Sequence, residues 1–410
     1  MGDPLFDPRL IAGVRNHSPY AAWAQAGFTP SEITARILST VTPLYEHPSV
    51  LDDIPFEVLA KEAVTVGAIQ SDCRSAKLFD LVLAHYRASV VANPVGSVSA
   101  LLYWDAAIVR AGAEFISIYL TELDKAELPL EETRLELLRN IGGLLEACAQ
   151  PHLKSLLHHV LIARDEPSDG KQIDRMRLGQ VVDRLWQTTD CQELLAPAPW
   201  RLKLNTWRNV AQHHSAVVVD DHIVCDYREG KADRTITLRR DEMIEAARDL
   251  QLMLAVLRSA RFVFVTDNTE LLRTHAPAGL KVAPPRRELE FIEFASLIAT
   301  QGFSIVGIES TEECTHLSVR DETDEPSRER ALHASQFVVG TWQYFPRSII
   351  RVTYIDKMGR SFMSVTSSGS DCKDIAEGRV PFEELANRVT FTLHSGDSNA
   401  DEGTPAEHKP

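Results

Sequence analysis

Between about Ile54 and Leu195 apolar side chains return at three- and four-residue intervals, most clearly in Phe79–Ala88, Val98–Leu120 and Glu132–Ile162, and nothing else in the 410-residue chain restricts its fold so strongly. That period puts the apolar groups of each segment on one helical face, and several such faces bury themselves only against one another, so the spacing predicts a helix bundle. Gly142–Gly143 and Pro151 weaken or divide the last of these stretches, and the run Glu166–Gly170 ends it. An amphipathic segment, Arg175–Trp186, then leads to a break at Pro197 and Pro199. Beyond it the period changes. Ala216–Val219, His222–Tyr227 and Thr235–Leu238 are rich in strand-forming residues and flank the turn-like Glu229–Asp233, which predicts a small β-hairpin; Asp241–Ala260 returns to helix.

The ends read differently. Seven prolines in residues 1–59 (Pro4, Pro8, Pro19, Pro30, Pro43, Pro48 and Pro55) predict an irregular arm with short helices. Residues 60–275 form the helical domain, and residues 276–287, with Pro277, Pro284 and Pro285 beside Arg286–Arg287, form a linker. From 288 to 395 the expected order is helix (Glu288–Thr300), strands (Phe303–Glu309, Thr315–Arg320), helix (Arg328–Tyr344), hairpin strands (Ile349–Ile355, Ser361–Val365) and helix (Phe382–Val389). This predicts a smaller α+β domain with a mostly antiparallel sheet. The polar residues 396–410 are expected to be disordered. The fold class is therefore mainly α, a helical bundle with a small hairpin, followed by an α+β accessory domain.

Composition narrows the function classes. A formal net charge of −15 argues against a surface that binds nucleic acid everywhere, so any such contact must be local. Arg201, Lys203, Arg208 and Arg239–Arg240 are the cationic candidates. No apolar run approaches the roughly 18 residues of a membrane helix, and with Asp3 and Asp7 near the start and no apolar run behind a basic segment a secretory signal is not expected. The six scattered cysteines form no C-x-x-C pair, which argues for reduced thiols rather than a zinc site and for a cytoplasmic home. Neither cofactor nor metal nor membrane partner is expected.

The segment Trp207-Arg208-Asn209-Val210-Ala211-Gln212-His213-His214 carries the chemistry. Cleaving RNA without a metal needs a base for the 2′-hydroxyl, an acid for the leaving oxygen, and positive charge on the phosphate. Imidazole serves either proton role near neutral pH, and guanidinium bonds phosphate oxygens while staying charged. On a helix Asn209 and His213 are i,i+4 neighbours on one face, and Arg208 lies roughly 140° from His213. An Arg-x4-His pair is expected about once by chance in a chain of this composition, so the spacing alone more readily describes a polar helix face. Arg328 and His333 repeat that spacing, but Glu329 follows the arginine and the pair reads as a solvated helix; Arg15–Asn16 and Arg139–Asn140 have no histidine at the matching distance.

With its apolar approach Leu202–Thr206 and the strand-like Val217–Val224 behind it, this segment resembles HEPN domains, whose signature is R-x(4–6)-H with a polar residue, often asparagine, after the arginine. Families with W-R-N-x-A-Q-H or R-N-x-x-A-H segments followed by a short hairpin and a helix match best. The resemblance covers residues 170–262, extends more weakly to about residue 60, and is absent from the C-terminal part. It implies an all-α core of four or five helices, a homodimer that sets two R-x(4–6)-H helices across one composite cleft, and metal-independent RNA cleavage leaving a 2′,3′-cyclic phosphate. By the same resemblance Arg208 stabilises the phosphate, Asn209 is the polar second position and His213 the acid/base, with His214 ranked second because it points away from Asn209. A toxin-like or abortive-infection ribonuclease of a prokaryotic cytoplasm is the implied function, with a regulatory protein or ligand at residues 288–395. A catalytically inactive HEPN dimerisation scaffold is the alternative.

Other groups read as structural. His152, His158 and His159 lie in an apolar helix and are expected as satisfied histidines rather than metal ligands; Asp220-Asp221-His222 reads as a turn, Cys225 as a packed thiol, and Trp342, Tyr344 and Phe345 as the end of a hydrophobic core.

Overall fold

The computed structural model describes residues 2–119, 128–213, 215–275 and 287–394. A two-residue strand β1 (Asp3–Pro4) precedes α1 (Pro8–His17), α2 (Pro19–Gln25) and α3 (Pro30–Val41). The helices α4 (Phe56–Ser71), α5 (Cys73–Ala92) and α6 (Pro94–Tyr119) follow, then α7 (Leu130–Gly143), a π-helical segment (Leu144–Ala149) and α8 (Gln150–Ala163). Next come α9 (Gly170–Arg175), α10 (Leu178–Thr188), α11 (Gln192–Leu195) and α12 (Leu204–Gln212). Strands β2 (Ala216–Val219), β3 (His222–Glu229) and β4 (Ala232–Leu238) lead to α13 (Arg240–Asp267) and α14 (Thr269–His275). The remainder is α15 (Arg287–Thr300), β5 (Phe303–Ser310), β6 (Cys314–Asp321), α16 (Ser327–Ala334), α17 (Phe337–Tyr344), β7 (Ile349–Ile355), β8 (Ser361–Ser368), α18 (Gly369–Ala376) and β9 (Val389–Leu393). The protein is mainly helical, and among the described residues no helix is long and apolar enough to cross a membrane.

Two compact units divide the chain, one built from residues up to Ile37, Phe56–Lys61 and those from Glu290 on, the other from Leu38–Pro55 and Glu62–Leu289. The second unit is the expected helical bundle. Helix α5 packs against α8 and α13, α6 against α8, and α7 against α12. Trp104, Tyr86, Trp207 and Phe264 are sealed in its interior. Its helices start where the residue chemistry says they should. The Asp72 carboxylate accepts the Ser75 amide at 3.0 Å to open α5, and Pro94 occupies the first position of α6, where no amide hydrogen is needed.

The three helix-α8 histidines are core residues, as their apolar surroundings implied, but they are not all satisfied as expected: His152 Nδ1 and His159 Nε2 are buried with no hydrogen-bond partner among the described residues. His158 accepts from the Trp104 indole at 3.1 Å and meets the Ser168 carbonyl at 2.8 Å, while His159 meets Ser89 Oγ at 2.8 Å. Burial holds His152 down to about 3 and depresses His158 and His159, so all three stay neutral. The expected hairpin is a three-stranded antiparallel meander, because β3 continues to Glu229 and turns at Gly230 (φ 62°) into β4. Asp220 takes a left-handed turn conformation (φ 54°) between β2 and β3, as Asp does readily, and Cys225 is packed, its thiol pushed up to about 11 mainly by burial.

The first unit is a six-stranded sheet of order β1-β5-β6-β7-β8-β9. Its pairs are antiparallel except β6–β7, which runs parallel because the α16–α17 crossover returns the chain to the same end. Several expectations are corrected here. The arm at 1–59 holds the short helices expected of it, and Pro8, Pro19 and Pro30 each stand at the start of one, which a fixed φ favours. Strand β1 pairs with β5, and Phe6 packs on Phe291 at 4.6 Å between ring centres. The single helix expected over 328–344 divides at Ser335–Gln336 into α16 and α17. The solvated pair Arg328/His333 is half right: Arg328 is exposed, but His333 turns inward against Phe303 and Arg330. The helix expected at 382–389 is a 3-10 turn followed by β9, an edge strand whose hydrogen bonds come from β8. Helix α18 is eight residues long, opened by Ser368 whose hydroxyl accepts the Asp371 amide, and was not expected from the sequence. Phe345 is buried as expected, and Tyr344 donates to Glu57. Linker residues 276–286 and the tail 396–410 lie outside the described residues.

Candidate functional site

Helix α12 is short and strongly one-sided: Leu204, Trp207, Val210 and Ala211 face inward, leaving Arg208, Asn209 and Gln212 towards the outside. Buried Trp207 fixes the rotation of this helix, and with it the direction of the neighbouring Arg208. His213 is not within the helix but closes it as the C-terminal cap, its amide donating to the Asn209 carbonyl at 3.0 Å. The i,i+4 relation read from the sequence thus survives in the backbone, and the imidazole is exposed. His214 lies outside the described residues.

The Arg208 guanidinium reaches Glu146 on the π-helical segment, with Nε 2.6 Å from Oε1 and Nη2 also on that oxygen. Nη1 donates to Asn209 Oδ1 at 3.2 Å. Glu146 belongs to the one wide turn in an otherwise regular α7–α8 rod, and such turns re-aim side chains by inserting an extra residue per turn. The carboxylate is 62 residues from its partner, which is why no local pattern announced it.

An open groove of about 710 Å³ runs alongside, lined by Leu135, Leu138, Arg139, Gly142, Gly143, Glu146, Ala147, Ala211, Gln212 and His213. Gly142 faces α12, where an added Cβ would make ordinary contact with that of Ala211 at 3.4 Å, while Gly143 faces Ile118 of α6, where an added Cβ would stand 3.2 Å from Cδ1. The groove joins His213 and Glu146 on one wall system; Arg208 and Asn209 do not line it, and Arg208 communicates with it through the carboxylate it binds. Exposed Arg139, set aside in the sequence for want of a matching histidine, contributes a guanidinium to the same groove as His213. Arg139 and Glu146 are the two groove residues that sequence reasoning missed.

Chemically the groove offers an imidazole, a carboxylate and a guanidinium beside an apolar floor. An anionic ligand there meets Arg139 directly, and Arg208 only by sharing it with Glu146, because an arginine saturated by a carboxylate has fewer donors left for phosphate. No family model matches this chain, and no curated protein or solved structure matches it either.

Proposed function

We propose that the protein is a metal-independent RNA endonuclease of HEPN type, acting as a homodimer whose composite cleft brings together two copies of the Arg208/His213 segment. The observation that carries this reading is the exposed His213 imidazole in an open groove that also holds Arg139 and Glu146, with Arg208 directly behind the carboxylate. In this reading His213 exchanges the proton of the 2′-hydroxyl or of the leaving oxygen. Arg139 and Arg208 neutralise the phosphate, and Asn209 holds the Arg208 guanidinium in place. The acidic surface discourages indiscriminate binding of RNA away from the groove. A toxin-like or antiphage role follows from the same resemblance, and residues 288–395 are the place for a regulatory protein or ligand.

The test is incubation of the purified protein with total RNA in chelator, beside Arg208→Ala and His213→Ala. Each variant is expected to lose roughly 100-fold or more in cleavage rate while its circular dichroism and dimer mass stay unchanged. A second reading, an inactive dimerisation scaffold, is favoured by the Arg208–Glu146 pair itself, which satisfies the guanidinium without any substrate. Identical RNA traces from the three proteins would establish the scaffold and end the nuclease reading.

A further inference from the structure

Outside the groove, and on the same helical unit, His85, Asp190 and Cys191 come together although 105 residues separate the first two. Among the described residues they form a group of three potential metal ligands whose donor atoms all lie within 4.8 Å of one another. His85 Nε2 stands 3.2 Å from Asp190 Oδ1. In a tetrahedral zinc site, bonds of about 2.0 to 2.3 Å place neighbouring donors about 3.3 to 3.8 Å apart, so closing this set shortens its separations by at most about 1.5 Å.

The scaffold is fixed before any ion arrives. His85 lies in the interior of α5, which is held by α8 and α13. Asp190 and Cys191 form the turn between α10 and α11, where the Cys191 amide donates to Thr189 Oγ1 at 3.3 Å and the Gln192 side chain donates to the Thr189 carbonyl at 2.8 Å. The Cys191 side chain points inward and is 1% exposed, while Asp190 is on the surface. A sulfur, an imidazole nitrogen and a carboxylate oxygen suit Zn²⁺ rather than Mg²⁺ or Ca²⁺, which take oxygen donors.

We infer that His85, Asp190 and Cys191 bind one Zn²⁺ per chain, with water in the fourth position on the solvent side. As the Zn–S bond forms, the Cys191 proton passes to solvent. The ion staples α5 to the α10–α11 turn, from which the chain runs on to α12. The cysteine spacing that argued against zinc was blind to this arrangement, since only one of the six cysteines takes part and its histidine comes from another helix.

The test is titration of chelator-dialysed full-length protein with Zn²⁺ by calorimetry, beside His85→Ala, Cys191→Ser and Asp190→Asn, with Co²⁺ as a spectroscopic probe and Mg²⁺ as control. One Zn²⁺ per chain is expected, with affinity at least about 10-fold weaker in each variant. Zn²⁺ is expected to raise the melting temperature of the parent more than that of any variant at the same concentration, and Co²⁺ to give a thiolate charge-transfer band that Cys191→Ser abolishes. Absence of stoichiometric binding, equal affinity in the variants, a missing thiolate band or equal binding of Mg²⁺ would each overturn the site. Should the variants at buried or half-buried positions fail to fold by circular dichroism, exposed Asp190→Asn decides alone. None of these readouts depends on RNA cleavage, so this inference and the nuclease reading fail separately.

Discussion

Glu146 decides what Arg208 is available to do. The pair is about one-third exposed on each side, so its contribution to stability is small, about 1 kcal/mol or less, whereas its effect on anion binding is direct. Glu146→Gln keeps the side-chain shape but removes the charge that competes with phosphate. The variant is expected to bind RNA several-fold more tightly in low-salt filter binding with a melting temperature close to that of the parent. Unchanged or weaker binding would show that the guanidinium is structural. The sequence pointed to Arg208, Asn209 and His213 through their close spacing and the family resemblance of the segment that holds them. It was silent about Glu146 and gave no reason to keep Arg139, because only the π-helical turn and the packing of α7 on α12 bring them to the same groove.

At the scale of elements, helix α8 is buried over almost its whole length and carries three histidines held neutral by desolvation. A histidine in the unfolded chain takes up a proton below about 6.5, but His152 in the folded helix resists down to about 3. Protons therefore favour the unfolded chain: the stability is fully present above about 6.5 and is lost as pH falls towards 3, at up to about 1.4 kcal/mol per unit for each such histidine. Denaturant midpoints measured from about pH 7 to about pH 5 are expected to fall, and His152→Gln to flatten that fall. An unchanged slope in the variant would show that the histidine is hydrated. The helical period announced α8 and its apolar surroundings, and the neutral core histidines followed from that. The break of 328–344 into α16 and α17 and the strand β9 were not legible, because neighbouring strands override local helix preference.

At the scale of the molecule, the two units do not follow chain order. The first needs both ends: β1 extends the sheet at β5, and Phe6 fills a place between Phe291 and Phe345. Deleting residues 1–28 is expected to raise hydrogen exchange throughout β5–β8 while leaving β2–β4 and α12 protected. Equal protection in both sheets would show that the N-terminal segment is dispensable. Periodicity by itself determined that this chain makes a helical bundle with a small β-element after residue 215 and an α+β region near its end. It also determined which face of α12 carries the polar groups. These are local properties, set by side-chain direction over one or two turns. What only the tertiary structure decided was which distant residues meet: Glu146 with Arg208, His85 with Asp190 and Cys191, and the first strand with the fifth. Such meetings depend on how whole elements pack, and packing is set by the sum of many weak apolar contacts that no short window of sequence contains.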